Sequence, residues 1–438
     1  MNQKLVYIQK KNEKLIYDLF NVYTTYKKTR KEKEEGKYNT PYPKIIFSTH
    51  SPNIVKEVIR LFDTDQQILH FSKNNKENTA VQKMNSIYDN KRFLNIFSDN
   101  EARLFFSDFI LFVEGATEQE VFSNRALVEK FKIMQDIDVY ATNELVLKYI
   151  NPSYANTSIP YLVLYDADKL ITIDIDNKKL DFNKFTINIV SYFNLYKKSY
   201  IGSKQKFLYN LLKQLLEWKK SIILEFDSNL YIKNINYSLF IKYVNDVFLA
   251  QENYILNKTT IEEVLINNDS FYLFKRWLIY EYQTNIYKSM NNKIPTIEKN
   301  KIIIAKTKNM KNFKKFINTK FATKREVTTA FILVFSGKTE TSITTSTKNY
   351  NKIDSNFIEN INKIKETYLS NSLNLGYLLG KTSGWVTSFL NFSINKIENN
   401  IEKKQFENQI DKDKEFRIEF KKYFGELYDT ISIIENKY

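Results

Sequence analysis

The chain of 438 residues contains no cysteine and only two histidines, His50 and His70. That composition excludes a disulfide framework, a zinc finger, a cysteine nucleophile and a multi-histidine metal centre. Any metal must be held by carboxylates, hard oxygen donors that suit Mg²⁺ or Mn²⁺ rather than zinc or copper. Glycine is scarce as well: eight residues stand where average usage of about 7% would give roughly thirty. Four of the eight, Gly337, Gly376, Gly380 and Gly384, fall close together near the C-terminal end, marking tight turns or close backbone approaches. No window reaches the roughly 18 uninterrupted apolar residues of a membrane span, and the opening MNQKLVYIQKK has no secretory core, so a cytoplasmic protein is expected.

The formal net charge is +16, which favours a polyanionic partner, nucleic acid or an anionic membrane surface. Lys, Asn, Ile, Tyr and Phe are all read from A/T-rich codons, so genomic bias supplies part of that excess. At 52.2 kDa and 43% hydrophobic residues the chain is long enough for two or three domains.

Residues 1–38 read as a polar helix ending in a charge run. KIIF reads as a β-run opening into a polar STHSP turn, followed by the helix NIVKEVIRLF. QQILHFSK and TAVQKM read as short strands, and NEARLFF starts a helix. From residue 109 an α/β pattern begins. FILFV is a continuous apolar run, as in a strand buried on both faces, and ATEQEVFSNRALVEKFK is an amphipathic helix. YLVLY is a second such strand, and FILVF, from residue 331, a third. The stretch between them has helical periods and many aromatics, including Trp218 and Trp277. It reads as a helical insertion outside the sheet, its aromatics serving as core. Asp174 and Asp176 sit in an expected exposed hairpin. Helices are expected over 353–369, 381–399 and the charged tail.

Acidic residues stand at the carboxyl ends of the three expected strands: Glu114, then Asp166 and Asp168, then Glu340. In open α/β sheets the ligand crevice lies outside those ends, so these side chains converge. Glu118, in the first turn of the following helix, faces the same crevice, and Gly115 lets the backbone approach it. Several carboxylates in one place repel unless cations share the site, which points to divalent metal.

The run NEARLFFSDFILFVEGATEQEVF followed by LVLYDAD resembles the Toprim nuclease domain of the overcoming-lysogenization-defect (OLD) endonucleases. IIFSTHSPNIV resembles the end of the ABC-type ATPase that precedes Toprim there. FSGKTETSI is similar to the family's Gly-x-x-Glu segment and LGKTSGWVTSFL to its lysine-bearing helix start. The resemblance covers residues 40–170 and 327–395. It implies an α/β, Rossmann-like, mostly parallel sheet, with an ATPase remnant at 1–98, Toprim halves at 99–180 and 326–400, a helical insertion at 181–325 and a helical tail at 401–438. It also implies that Glu114, Asp166 and Asp168 bind one divalent ion, Mg²⁺ or Mn²⁺, that Glu118 and Glu340 serve a second, and that Lys381 neutralises the scissile phosphate. Glu114 and Lys381 then count as catalytic. His50 matches a histidine that contacts the nucleotide's terminal phosphate in the ATPases.

The family's phosphate loop is missing. Neither GKT string completes GxxxxGK[ST], since Ile332 and Leu375 occupy the position of the first glycine. ATP binding is therefore expected only with a partner chain or a further N-terminal part. The implied activity is metal-dependent DNA cleavage, in the setting of anti-phage defence. The alternatives are an ATPase-associated binding or assembly subunit that needs a partner chain carrying the phosphate loop, and another Toprim enzyme, a topoisomerase or primase; the expected partners are DNA and either an ATPase chain or a second copy in a homodimer. The Lys-rich segment 308–325 is a further place for nucleic acid, with a solvated helix face as its simpler reading.

Overall fold

A computed structural model describes residues 14–25, 27–28, 46–73, 78–142, 144–166, 171–174, 179–182, 239, 241–242, 244–245, 254–256, 260–289, 296–336, 355–380, 383–404, 406 and 408–438. It is a mixed α/β protein, mostly helical, with a small parallel sheet. The chain divides into two units, one of residues 1–112, 136–161 and 438, the other of 113–135 and 162–437. No helix among the described residues is long and apolar enough to cross a membrane.

In the first unit the helix Pro52–Phe62 starts where expected, with proline at its first position. Ile46 and Phe47, from the expected β-run, belong to no strand and are exposed. No strand among the described residues pairs with them, and an extended run without a ladder leaves its backbone groups unpaired. The strands β1 (Leu69–Lys73) and β2 (Thr79–Lys83) form the antiparallel hairpin their alternation predicted, with His70 opposite Gln82 and Phe71 opposite Val81. Its polarity is inverted: His70, Ser72 and Gln82 are half-buried, while Leu69, Phe71 and Val81 face solvent. The core of this unit is an aromatic cluster in which the tilted rings of Phe93 and Tyr149 meet at 4.6 Å and Tyr88 meets Phe93 at 4.8 Å.

The strand β3 (Phe109–Val113) is fully buried, as is β5 (Tyr161–Tyr165); β4 (Ile137–Ala141) is half-buried. Each fully buried apolar side chain contributes about 1.5–3 kcal/mol, which is why such uninterrupted runs persist at the sheet centre. The strands β6 (Ile171–Asp174) and β7 (Lys179–Phe182) pair as the hairpin expected around Asp174; Asp176 lies outside the described residues. The strand β8 (Tyr254–Leu256) completes a sheet of order β4-β3-β5-β8, running parallel to β5 with Val163 opposite Tyr254. The expectation that 181–325 stays out of the sheet is thereby corrected. A three-residue strand is too short to show a period of its own.

The unit boundary falls after Phe112 and after Tyr161, so the carboxyl ends of β3 and β5 both belong to the second unit. There ATEQEVFSNRALVEKFK forms two helices, α1 (Ala116–Phe122) and a second over Arg125–Lys130. The break comes at Asn124, whose side chain accepts from Leu127 N at 3.1 Å and caps the new start. The helices α2 (Phe271–Ser289) and α3 (Thr296–Lys320) follow. Then comes α4 (Lys324–Phe335), where the third strand was expected. FILVF is helical because its apolar neighbours recur at helical spacing: Val327, Ala330, Phe331, Val334 and Phe335 are buried, while Ile332 and Leu333 are half-exposed. Thr323 caps the helix by accepting from Glu326 N at 3.1 Å.

Helical turns over 355–372 lead to α5 (Trp385–Ile401) and to two tail helices, Gln409–Tyr423 and Gly425–Lys437, joined by Arg417 on both oxygens of Glu435. At the centre of this unit Phe274 meets Trp277, Phe335 and Phe389 at 5.3 Å each and Phe331 at 5.4 Å. Trp277 is fully buried, as its helical spacing predicted.

Candidate functional site

Two carboxylates leave the sheet at equivalent places. Glu114 directly follows β3 and Asp166 directly follows β5, and both are half-buried. The chain then turns at Gly115, whose extended φ of −153° starts α1. Glu118, in the first turn, is buried at 6% exposure, where the positive end of the helix favours a carboxylate. A Cβ placed on Gly115 would lie 3.3 Å from Glu118 Oε2. The Glu118 carboxylate is thus folded back over the loop at Gly115, and only glycine leaves it that space without crowding.

Asp168, Glu340 and Lys381 lie outside the described residues. The strand expected to present Gly337 and Glu340 is helix α4, which reaches only Phe335, so Glu340 does not follow a third strand. Among the described residues no group of three or more acids or imidazoles is close enough to hold a metal ion. Glu114, Glu118 and Asp166 have the right donor chemistry for a hard divalent cation, yet they do not complete a site without further ligands.

His50 belongs to the first unit, at the turn before Pro52–Phe62. It is exposed, and its ring lies 6.4 Å from that of Phe106. The described residues place no other candidate site residue with it.

The described residues that flank Lys381 in sequence are held by backbone turns and hydrogen bonds. Gly380 and Gly384 take φ of 116° and 77°, left-handed values that disfavour other residues, which accounts for glycine there. Ser383 Oγ donates to the carbonyls of Leu378 at 2.6 Å and Gly380 at 2.8 Å. The helix α5 that follows is tied to α1, since Thr387 N donates to Glu120 Oε1 at 2.9 Å. A carboxylate from one helix therefore caps the other. Asn124 Nδ2 donates to Asn391 Oδ1 at 3.2 Å one turn further on. From α2, Trp277 Nε1 donates to Ser388 Oγ at 2.9 Å, and Ser388 in turn donates to Glu281. Tyr377 also donates to Glu281 at 3.1 Å, and burial together with that carboxylate pushes its hydroxyl up to about 12.

The tie through Glu120 is one that the sequence did not disclose. It sets the start of α5 against the helix that carries Glu118. The two residues it joins are 267 positions apart, beyond the reach of any local pattern.

No known protein-family model matches the chain, and no solved structure matches it.

Proposed function

We propose that the protein is a metal-dependent DNA endonuclease of the OLD type, hydrolysing phosphodiester bonds at the carboxyl ends of β3 and β5. The observation that carries this reading is the placement of Glu114 and Asp166 just beyond two buried strands, with the buried Glu118 carboxylate folded onto Gly115. Gathering carboxylates where water is sparse is costly unless a cation offsets them. Bound there, Mg²⁺ or Mn²⁺ would generate the attacking hydroxide and stabilise the oxygens of an in-line displacement. Glu114, Asp166 and Asp168 would hold one ion, and Glu118 and Glu340 a second. Lys381 would add fixed positive charge for the phosphate, between flanking residues held by the turns at Gly380 and Gly384 and by the Glu120 cap. The net charge of +16 suits a DNA substrate.

Plasmid nicking with Mn²⁺ by the wild-type chain, Asp166→Asn and Glu114→Gln tests this. A loss of about a hundredfold or more is expected for each variant; equal nicking by all three removes the proposal.

A second reading, an assembly subunit working with an ATPase partner that carries the phosphate loop, is favoured by the inverted hairpin. Leu69, Phe71 and Val81 expose one apolar face in the first unit. Apolar side chains left facing water on a paired sheet mark a protein contact more often than chance. Light scattering with and without the neighbouring gene product separates the readings: a chain that is monodisperse and nicks DNA alone counts against the second.

A further inference from the structure

We infer that the outer face of α3 is a docking surface for the phosphate backbone of duplex DNA. This inference deepens the nuclease reading, on which its choice of polyanion partly rests. The helix Thr296–Lys320 holds eight lysines against a single glutamate, the largest net positive charge of any helix among the described residues. Its inner face is fixed. Phe313 and Ile317 are buried, Phe313 meets Tyr368 at 5.3 Å, Phe316 meets Tyr368 at 4.8 Å, and Asn309 Nδ2 donates to the Ser372 carbonyl at 3.0 Å. The opposite face is then forced outward. Lys308, Lys311 and Lys315 succeed one another at spacings of three and four, the spacing of neighbours on one helix stripe, with Lys314 beside them; all four are exposed.

The basic residues of the tail helix Gln409–Tyr423 are placed differently. Lys412, Lys414, Arg417 and Lys421 each pair with a carboxylate there. Among the described residues no ion pair is found for Lys308, Lys311, Lys314 or Lys315, although like charges at these spacings repel one another. Codon bias explains many lysines; it does not explain why this helix carries a single glutamate beside eight of them.

The charge spacing fits a nucleic-acid strand. From Lys308 to Lys315 the helix rises about 10.5 Å, and the four exposed lysines over that length stand about 3.5 Å apart on average along the axis. Phosphates along one strand of duplex DNA recur about every 3.4 Å. A lipid surface fits less well, because a membrane-surface helix must give its apolar face to the acyl boundary. Here that face is occupied by Tyr368 and by Phe331, 6.3 Å from Phe313.

The test is fluorescence anisotropy of a labelled DNA duplex with the full chain in EDTA, where no cleavage occurs, across about 50 to 200 mM salt. The variant K308Q/K311Q/K314Q/K315Q keeps helix-forming residues throughout. It is expected to bind roughly 10- to 100-fold more weakly, with a salt slope reduced by about 3.6, at about 0.9 per phosphate lost. The control K404Q/K412Q/K414Q/K421Q removes the same charge from paired lysines and is expected to change affinity less than about threefold. Equal losses by both variants, or an α3 variant that binds as wild type does, overturn the inference. So does an α3 variant that loses anionic vesicles while keeping DNA. Binding is read without catalysis, so a chain that binds through α3 but never nicks plasmid sinks the nuclease reading and leaves the docking surface standing.

Discussion

Replacing Gly115 with alanine perturbs the candidate site by a known distance. The backbone there is extended, at φ −153° and ψ −174°, so a side chain costs no backbone strain. The new methyl would stand 3.3 Å from Glu118 Oε2, just inside ordinary contact, and the carboxylate must give way by a few tenths of an ångström. Stability should barely change, because the loss of unfolded-state freedom contributes about 0.4–1 kcal/mol and the crowding offsets part of it. A melting temperature within about 4 °C of wild type is expected. Catalysis is more sensitive: a misplacement of about 1 Å costs about a hundredfold, so a shift of about 0.3 Å corresponds to about a fourfold loss of nicking rate. The assay is a cycle of Gly115→Ala, Glu118→Gln and the double variant in Mn²⁺-dependent nicking. If the methyl acts by moving the Glu118 carboxylate, it adds much less damage once that carboxylate is gone. Fully additive losses would refute the reasoning.

Two further outcomes follow from the fold. Burial holds the His70 imidazole below its ordinary value of 6.5, against the opposing bond from its Nε2 to the Phe105 carbonyl at 3.0 Å. The folded state therefore prefers the neutral ring; its stabilising effect is complete above pH 6.5 and is lost as the pH falls through the depressed folded value. Thermal melts between pH 7 and 5 should show a smaller acid-induced drop for His70→Gln than for wild type, and identical profiles would contradict this. In α4, Val334→Asp should destabilise by about 3 kcal/mol or more in urea, by placing an unpaired charge in the core, whereas half-exposed Leu333→Asp should cost about 1 kcal/mol. The reverse order is what a strand with Phe331, Leu333 and Phe335 on one face would give.

The two central strands were legible because FILFV and YLVLY are apolar without interruption and each stops at a residue of opposite character, Glu114 or Asp166. FILVF has the same look and a different fate. Its context decides: Thr323 three residues before Glu326 is a helix-start signature, and Val327, Ala330, Phe331 and Val334 extend a helical period into the run. Within those five residues alone that signal is absent. The β8 strand left no trace because three residues cannot establish a period. The positions of Glu114, Glu118 and Asp166 at element ends were readable. Glu120 was not, since its role depends on Thr387, which only the tertiary fold brings near.

Titration of the metal-free chain with Mn²⁺, followed by the loss of the free-ion EPR signal, bears most directly on the carboxylate site. Wild type should take up the ion, and Glu114→Gln and Asp166→Asn should each weaken uptake by about tenfold or more, as loss of a direct ligand does. Uptake unchanged in both variants would contradict the account.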